Sequence, residues 1–346
     1  ARNFDAVMAL ATEVLLEPRW DAAEFERLKT AALNRIKQQA GQPNAISGNV
    51  FNKLLYGQNS ILSHSPLGTA QTVERITLDD LKMYYQKNFS PNLAAFHVVG
   101  AVNQAQVAGA LMNIEQKWAN KNVSLPAVPD ARPITKPVIY FVDIPGSKQS
   151  VVRLGAPLVK GNHPDYFAAS VVNDKLGAGS NGILFQRLRE ERGYTYGANS
   201  AAPRRMSQGF FTAFSSVRAN VTKESVQLFR EIMQGYKDDY SQEYLDVTRT
   251  ALLRSNALAF ETLGNKMNIL LNMSTFGLPA DYIKQEEKQL LSMSLDQAKA
   301  TIGKYMDPNK MFYLIVGDAA TQAPLLKELG FADVIMLDRD GNVVNN

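Results

Sequence analysis

The residues of this sequence best placed to do chemistry lie between Lys175 and Ser200, in KLGAGSNGILFQRLREERGYTYGANS. A glycine-rich turn leads into a short amphipathic helix, then a break at Gly193 and an extended run. Arg189 ends that helix and Tyr196 lies seven residues later, past a glycine that lets the chain reverse, so both side chains can converge on one point. A guanidinium donates in a rigid fork and a phenol donates singly, which suits a peptide carbonyl gaining negative charge. The residues alone equally allow Arg189 to pair with Glu190 or Glu191 while Tyr196 fills the core. The turn's glycines, Gly177, Gly179 and Gly182, do not make a phosphate cradle: the Lys-Ser/Thr ending of a P-loop and the GxGxxG spacing are both missing.

Metal chemistry has little to work with. There are three histidines, His64, His97 and His163, and no cysteine. None of the three has another histidine at helical ligand spacing, whereas catalytic zinc needs three convergent protein ligands. His163 reads as a cap or border of the helix that follows it. No metal ligand is expected anywhere on the chain, and disulfides and thiol nucleophiles are excluded.

The remaining composition is that of a globular protein, 45% hydrophobic and 20% charged, with enough apolar content for a large core. Thirty-seven basic and 33 acidic residues leave a surplus of +4, scattered rather than banded, so the charge offers no footprint for nucleic acid. No apolar run approaches a membrane span and no signal peptide opens the sequence. Residues Asn3 to Glu17 already read as a helix, so residue 1 reads as an internal position rather than a natural start.

An internal repeat organises the elements that must position these residues. Ile76 to Val102 matches Met293 to Ala319: Leu78, Asp79, Lys82, Lys87, Pro91, Asn92, Val99 and Gly100 recur as Leu295, Asp296, Lys299, Lys304, Pro308, Asn309, Val316 and Gly317. In each copy Thr77 or Ser294 caps a helix, Asp80 or Gln297 closes a capping box, and a proline ends the helix. An apolar run to Gly100 or Gly317 then reads as a buried strand. Upstream, Asp21–Ile36 pairs with Tyr240–Ser255, both helical in period. A repeat this long means duplicated domains rather than a solenoid. The expected division is a first domain over 1–122, a linker over 123–137 rich in proline, and a second, complete domain over 138–346. Copies should be similar in size, about 200 residues for the second against about 120 for the first, so the first is expected to lack its N-terminal portion.

Within the second copy we expect strands at 138–143, 150–158, 196–202, 209–217 and 311–316, with helices at 163–176 and 183–191 and from residue 220 onward. After residue 220, Val226, Phe229, Ile232, Met233 and Tyr236 keep a helical core period. Antiparallel strands grouped with a block of helices argue an α+β sandwich, its antiparallel-rich sheets packed against helices.

The segment Leu188-Arg189-(x)3-Gly193-x-x-Tyr196 resembles one carried by M16 (insulinase and pitrilysin-like) zinc peptidases in the domain that faces the catalytic one. Leu55–Thr69 and the helix-to-strand block after it are similar to the family too, so the resemblance covers nearly the whole chain. It implies duplicated sandwich domains of the LuxS and mitochondrial-processing-peptidase type. It implies that Arg189 and Tyr196 bind substrate backbone and support the tetrahedral intermediate, with Leu188 and Gly193 completing the motif. The family's active half carries His-x-x-Glu-His with a later glutamate as third ligand. By the repeat and the resemblance, Arg35 occupies that third ligand's place, and no Asp or Glu occurs between Arg27 and Val73. A cation there repels Zn²⁺. The resemblance therefore implies the non-catalytic half of a zinc peptidase, with zinc on a catalytic partner half, fused or separate, and a peptide or unfolded protein as substrate. A purely structural homologue and a free-standing peptide-binding or chaperone-like module are the alternatives. The family's bacterial members leave periplasm and cytoplasm both open.

Overall fold

The computed structural model describes residues 2–344, the side chain of residue 113 excepted. Helices come first: α1 (Phe4–Leu16), α2 (Ala22–Gln39), α3 (Pro43–Tyr56), α4 (Ala70–Arg75), α5 (Leu78–Asn88) and α6 (Gln104–Lys117). A pair of strands follows, β1 (Val138–Asp143) and β2 (Gln149–Pro157), then α7 (Asp165–Gly177) and the short α8 (Ile183–Phe185). Next are β3 (Thr195–Ala201), β4 (Phe210–Arg218), α9 (Thr222–Asp239) and α10 (Gln242–Leu258). The chain continues through α11 (Leu263–Phe276), α12 (Tyr282–Ser292), α13 (Leu295–Tyr305), β5 (Phe312–Gly317), α14 (Ala319–Lys327) and β6 (Val334–Leu337).

All six strands form one mixed sheet in the order β3-β4-β2-β5-β1-β6. The three pairings from β3 to β5 are antiparallel and the two that involve β1 are parallel. This is the expected antiparallel-rich sheet packed against helices. Side chains alternate between its two faces. On one face Ile139, Phe141, Val152, Leu154, Phe211, Ala213, Tyr313 and Ile315 meet the apolar sides of α7, α9 and α13 in the main core. On the other, Val142, Val151, Phe210, Phe312, Leu314 and Val316 meet Ile46, Val50, Phe51 and Leu55 of α3. Gly155 is what lets α3 lie so close to β2: a Cβ there would come within 2.3 Å of the Phe51 ring. β6 has no counterpart among the expected strands; four residues after a loop give too short a run to announce themselves.

By contacts the chain forms two compact units that interleave along the sequence. The larger holds residues 38–66, 128–256 and 275–346, and contains the whole sheet. The smaller holds residues 1–37, 67–127 and 257–274 and is helical. Within the smaller unit, Tyr85 donates its hydroxyl to the Leu15 carbonyl and stacks edge-on against Trp20, with ring centroids 5.5 Å apart. His97 and the Ser274 hydroxyl lie 2.8 Å apart. Met8 and Val73 are its only buried apolar side chains among the described residues.

The repeat's helical grammar forms in both places. Thr77 and Ser294 each accept from the backbone N–H three residues on, and Asp80 and Gln297 return the bond, closing two capping boxes. Each helix runs 11 residues and is followed by a tight proline turn, Pro91–Leu93 or Pro308–Lys310. The strand after the turn forms only once. Phe312–Gly317 is buried throughout between β2 and β1. The expected strand ending at Gly100 does not form: residues 94–99 carry no regular structure, residue 100 lies in a bend, and Phe96 is 45% exposed. Strand geometry without a neighbouring backbone leaves its N–H and C=O groups to water, so the apolar run alone does not make sheet.

Candidate functional site

The site begins where α7 ends. A Cβ on Gly177 would lie 2.2 Å from the Ser200 amide nitrogen, and one on Gly182 would lie 2.8 Å from Gly177. The glycine-rich turn therefore brings α7, the next helix and β3 into backbone contact. That packing role was not legible in the spacing of the glycines. After α8 the helix widens to a π-type turn over Gln186–Glu191, with Leu188 fully buried in the main core. Gly193 then adopts φ +60°, a left-handed conformation that closes the helix end. Its N–H donates to the Arg189 carbonyl at 3.0 Å and that of Tyr194 to Leu188 at 3.0 Å. Leu188 anchors the turn and Gly193 reverses it, so Arg189 and Tyr196 flank one reversal of the chain.

Both side chains are available to a ligand. Arg187 takes Glu191 at 2.9 Å, leaving Arg189 a loose 3.7 Å approach to Glu190 with its own side chain 41% exposed. Exposed pairs at that distance contribute little. Tyr196 is 87% exposed, which corrects the alternative in which it fills the core. Its neighbour Thr195 takes the buried side and donates its hydroxyl to the Ser216 carbonyl at 2.6 Å. β3 is an edge strand of the sheet, with an irregularity in its pairing to β4 between Thr195 and Ala198. Such bulges re-aim side chains at sheet edges.

The described residues do not fit a zinc ion. No group of three His, Cys, Asp or Glu among the described residues is placed to hold a metal. His163 Nδ1 accepts from the Asp165 N–H at 3.0 Å at the start of α7, a helix-end role as expected from its position. Arg35 stands exposed on α2. On α7 itself the one carboxylate facing inward is Asp174. Burial pushes its pKa up, and the Thr248 hydroxyl, 3.4 Å away, only partly offsets this. Beside it, burial pushes the pKa of the Tyr240 hydroxyl up to about 12, and the Asp174 charge adds to the rise. This is a packed polar pocket inside the core, with no second ligand for a cation.

Known proteins resemble this chain in sequence and in fold. A protein described as a non-peptidase homolog, YmxG of Helicobacter pylori, is 24% identical over 323 residues, covering 91% of this chain and 72% of its own. A peptidase M16 inactive domain from Pseudomonas fluorescens has the same fold, with a TM-score of 0.83 at 23% identity over 92% of this chain and 76% of that one. The first half of the periplasmic protease PqqL from Escherichia coli is also similar, with a TM-score of 0.67 at 17% identity over 95% and 75%. Across residues 75–252 the sequence matches the family described as the peptidase M16 inactive domain. With its sheet backed by helices and this match over more than half of its length, the chain belongs to the M16 peptidase family, as its inactive domain.

Proposed function

We propose that this chain is the non-catalytic half of a zinc metallopeptidase: it closes a chamber with a catalytic half and binds peptide that is hydrolysed at the partner's zinc. The observation that carries this reading is the pair Arg189 and Tyr196, two donors held at one reversal by buried Leu188 and left-handed Gly193, with Tyr196 almost fully exposed. An exposed tyrosine on a sheet edge contributes nothing to the core, so its value lies in what docks against it. A guanidinium and a phenol supply hydrogen bonds to a peptide carbonyl and stabilise charge that develops on it, provided the partner excludes water. On this reading the zinc, and the base beside it, belong to the other half.

The test is cleavage of a quenched fluorescent peptide by this chain, by a candidate zinc-bearing M16 half, and by the two together, with zinc content measured throughout. Activity that appears only in the mixture and falls with Arg189→Ala supports a shared site. A second reading, a structural homologue without peptidase function, is favoured by the name of the Helicobacter pylori relative. It predicts a zinc-bearing half that is fully active alone and indifferent to this chain.

A further inference from the structure

One basic side chain in the sheet is unlike the others. Arg153 lies at the middle of β2, opposite Phe214 of β4 and Leu314 of β5. Strand alternation puts it on the same face as Val151 and Gly155, the face that α3 covers. α3 reaches β4 near its start, where Asn44 Oδ1 and the Ser216 hydroxyl lie 3.3 Å apart, and Phe51 sits over Gly155 further along. Arg153 lies between those two points. Its guanidinium carbon is 5.4 Å from the centroid of the Phe51 ring and 5.2 Å from that of Phe214.

Two aromatic rings attract a cation but accept no strong hydrogen bond. Arg153 Nε is buried with no partner, and no carboxylate among the described residues pairs with this side chain. The comparison within the same sheet unit is direct. Arg204 also lies over an aromatic ring, that of Tyr166 at 4.5 Å, but it has Glu286 as its counter-ion. Burial lowers the pKa of the Arg153 guanidinium, which is the electrostatic signature of a charge lacking its compensation. A half-buried cation with free in-plane donors is matched by a planar anion that accepts two parallel bonds.

We infer that Arg153, set against Phe51 and Phe214, receives a carboxylate of the bound peptide. The inference rests on the peptide-binding reading above and gives it a substrate class: peptides that bring an acidic side chain or a free C-terminus to this face. Tyr196 belongs to the same reading, since it follows buried Thr195 on β3 and alternation turns it away from the main core.

The experiment follows the Nε–H resonances of arginines in the ¹⁵N-labelled full chain, with Arg153 assigned from its loss in Arg153→Met and in Arg153→Lys. Three probes are titrated: N-acetylglutamate α-amide, N-acetylglutamine with a free α-carboxylate, and N-acetylglutamine α-amide. We expect a saturable shift of the Arg153 signal with at least one carboxylate, and roughly tenfold weaker binding or none with the amide. The first two probes separate a side-chain carboxylate from a terminal one. An Arg153 signal that moves with neither carboxylate, or equally with the neutral amide, overturns the inference. Should one variant fail to fold, the other makes the assignment. The cleavage assay reads the peptidase role separately: carboxylate binding without support of cleavage keeps the site and removes the function, and the reverse removes only the site.

Discussion

At the scale of single residues, the reading turns on two side chains that the fold leaves without a structural task. Tyr196 has almost no packing to lose, so Tyr196→Phe is expected to leave the melting temperature unchanged while turnover by the assembled halves falls. Arg189 has only a loose contact to Glu190, and Arg189→Ala is expected to behave the same way. For each variant the loss in kcat is expected to approach roughly a hundredfold, the effect of removing one donor to a developing oxyanion. Zinc content of the mixture should not change. Peptide cleavage undiminished in both variants would remove the assigned role. Leu188→Ala differs in kind: it deletes a fully buried side chain, and should cost about 2–5 kcal/mol on chemical denaturation. The motif was legible in the sequence because Leu188, Arg189, Gly193 and Tyr196 sit within nine residues. Arg153 was not, because a lone arginine in an apolar run signals nothing until the rings of Phe51 and Phe214 are placed around it.

At the scale of elements, close approach of backbones is what fixes the site. Gly177→Ala would drive a methyl into the Ser200 amide and push α7 away from β3, the strand that carries Tyr196. Such overpacking costs about 1–3 kcal/mol. Because the strand itself must move, activity of the assembly should fall together with stability, unlike the pattern for Tyr196→Phe. α7 also holds a titration of its own. Burial raises the pKa of Asp174, so the folded state binds its proton more tightly than the unfolded chain. The penalty for ionising it is absent below the usual carboxylate range, grows as pH rises through the folded pKa, and is complete above it. Asp174→Asn should therefore stabilise the protein at pH 8, with the gain fading toward pH 4; the check is denaturant unfolding at several pH values. An equal effect at all pH values would mean that the carboxylate is not the cause. Most strands and helices of this unit were legible because glycine, proline and caps punctuate them, within a residue or two at each end. The side chains that meet across α7, β3 and α10 were not, since no local period encodes which helix crosses which strand.

At the scale of the whole molecule, the two copies of the repeat form a natural control. Both carry a capped helix of 11 residues, a proline turn and an apolar run that ends in glycine. In one copy the run is β5, fully buried and bonded on both sides to β2 and β1. In the other, residues 94–100 have no strand beside them, and Leu81, Tyr84, Phe89, Leu93 and Phe96 are exposed nearby in sequence. Their intrinsic preferences are alike, so the difference is tertiary: a strand exists where neighbouring backbones accept its hydrogen bonds. We propose that residues 94–100 are a strand position in a first sandwich domain, filled when strands equivalent to β1 and β2 are supplied. Hydrogen exchange measures this directly. Amides of residues 312–317 should exchange slowly, close to the limit set by global unfolding, and those of residues 94–99 orders of magnitude faster, through local fluctuations alone. In any complex that sets two strands beside this segment, residues 94–99 should slow toward the rate of their counterparts while β5 stays as it is. Protection of residues 94–99 that equals that of β5 in this chain alone would show that the segment is already paired, and would end the proposal.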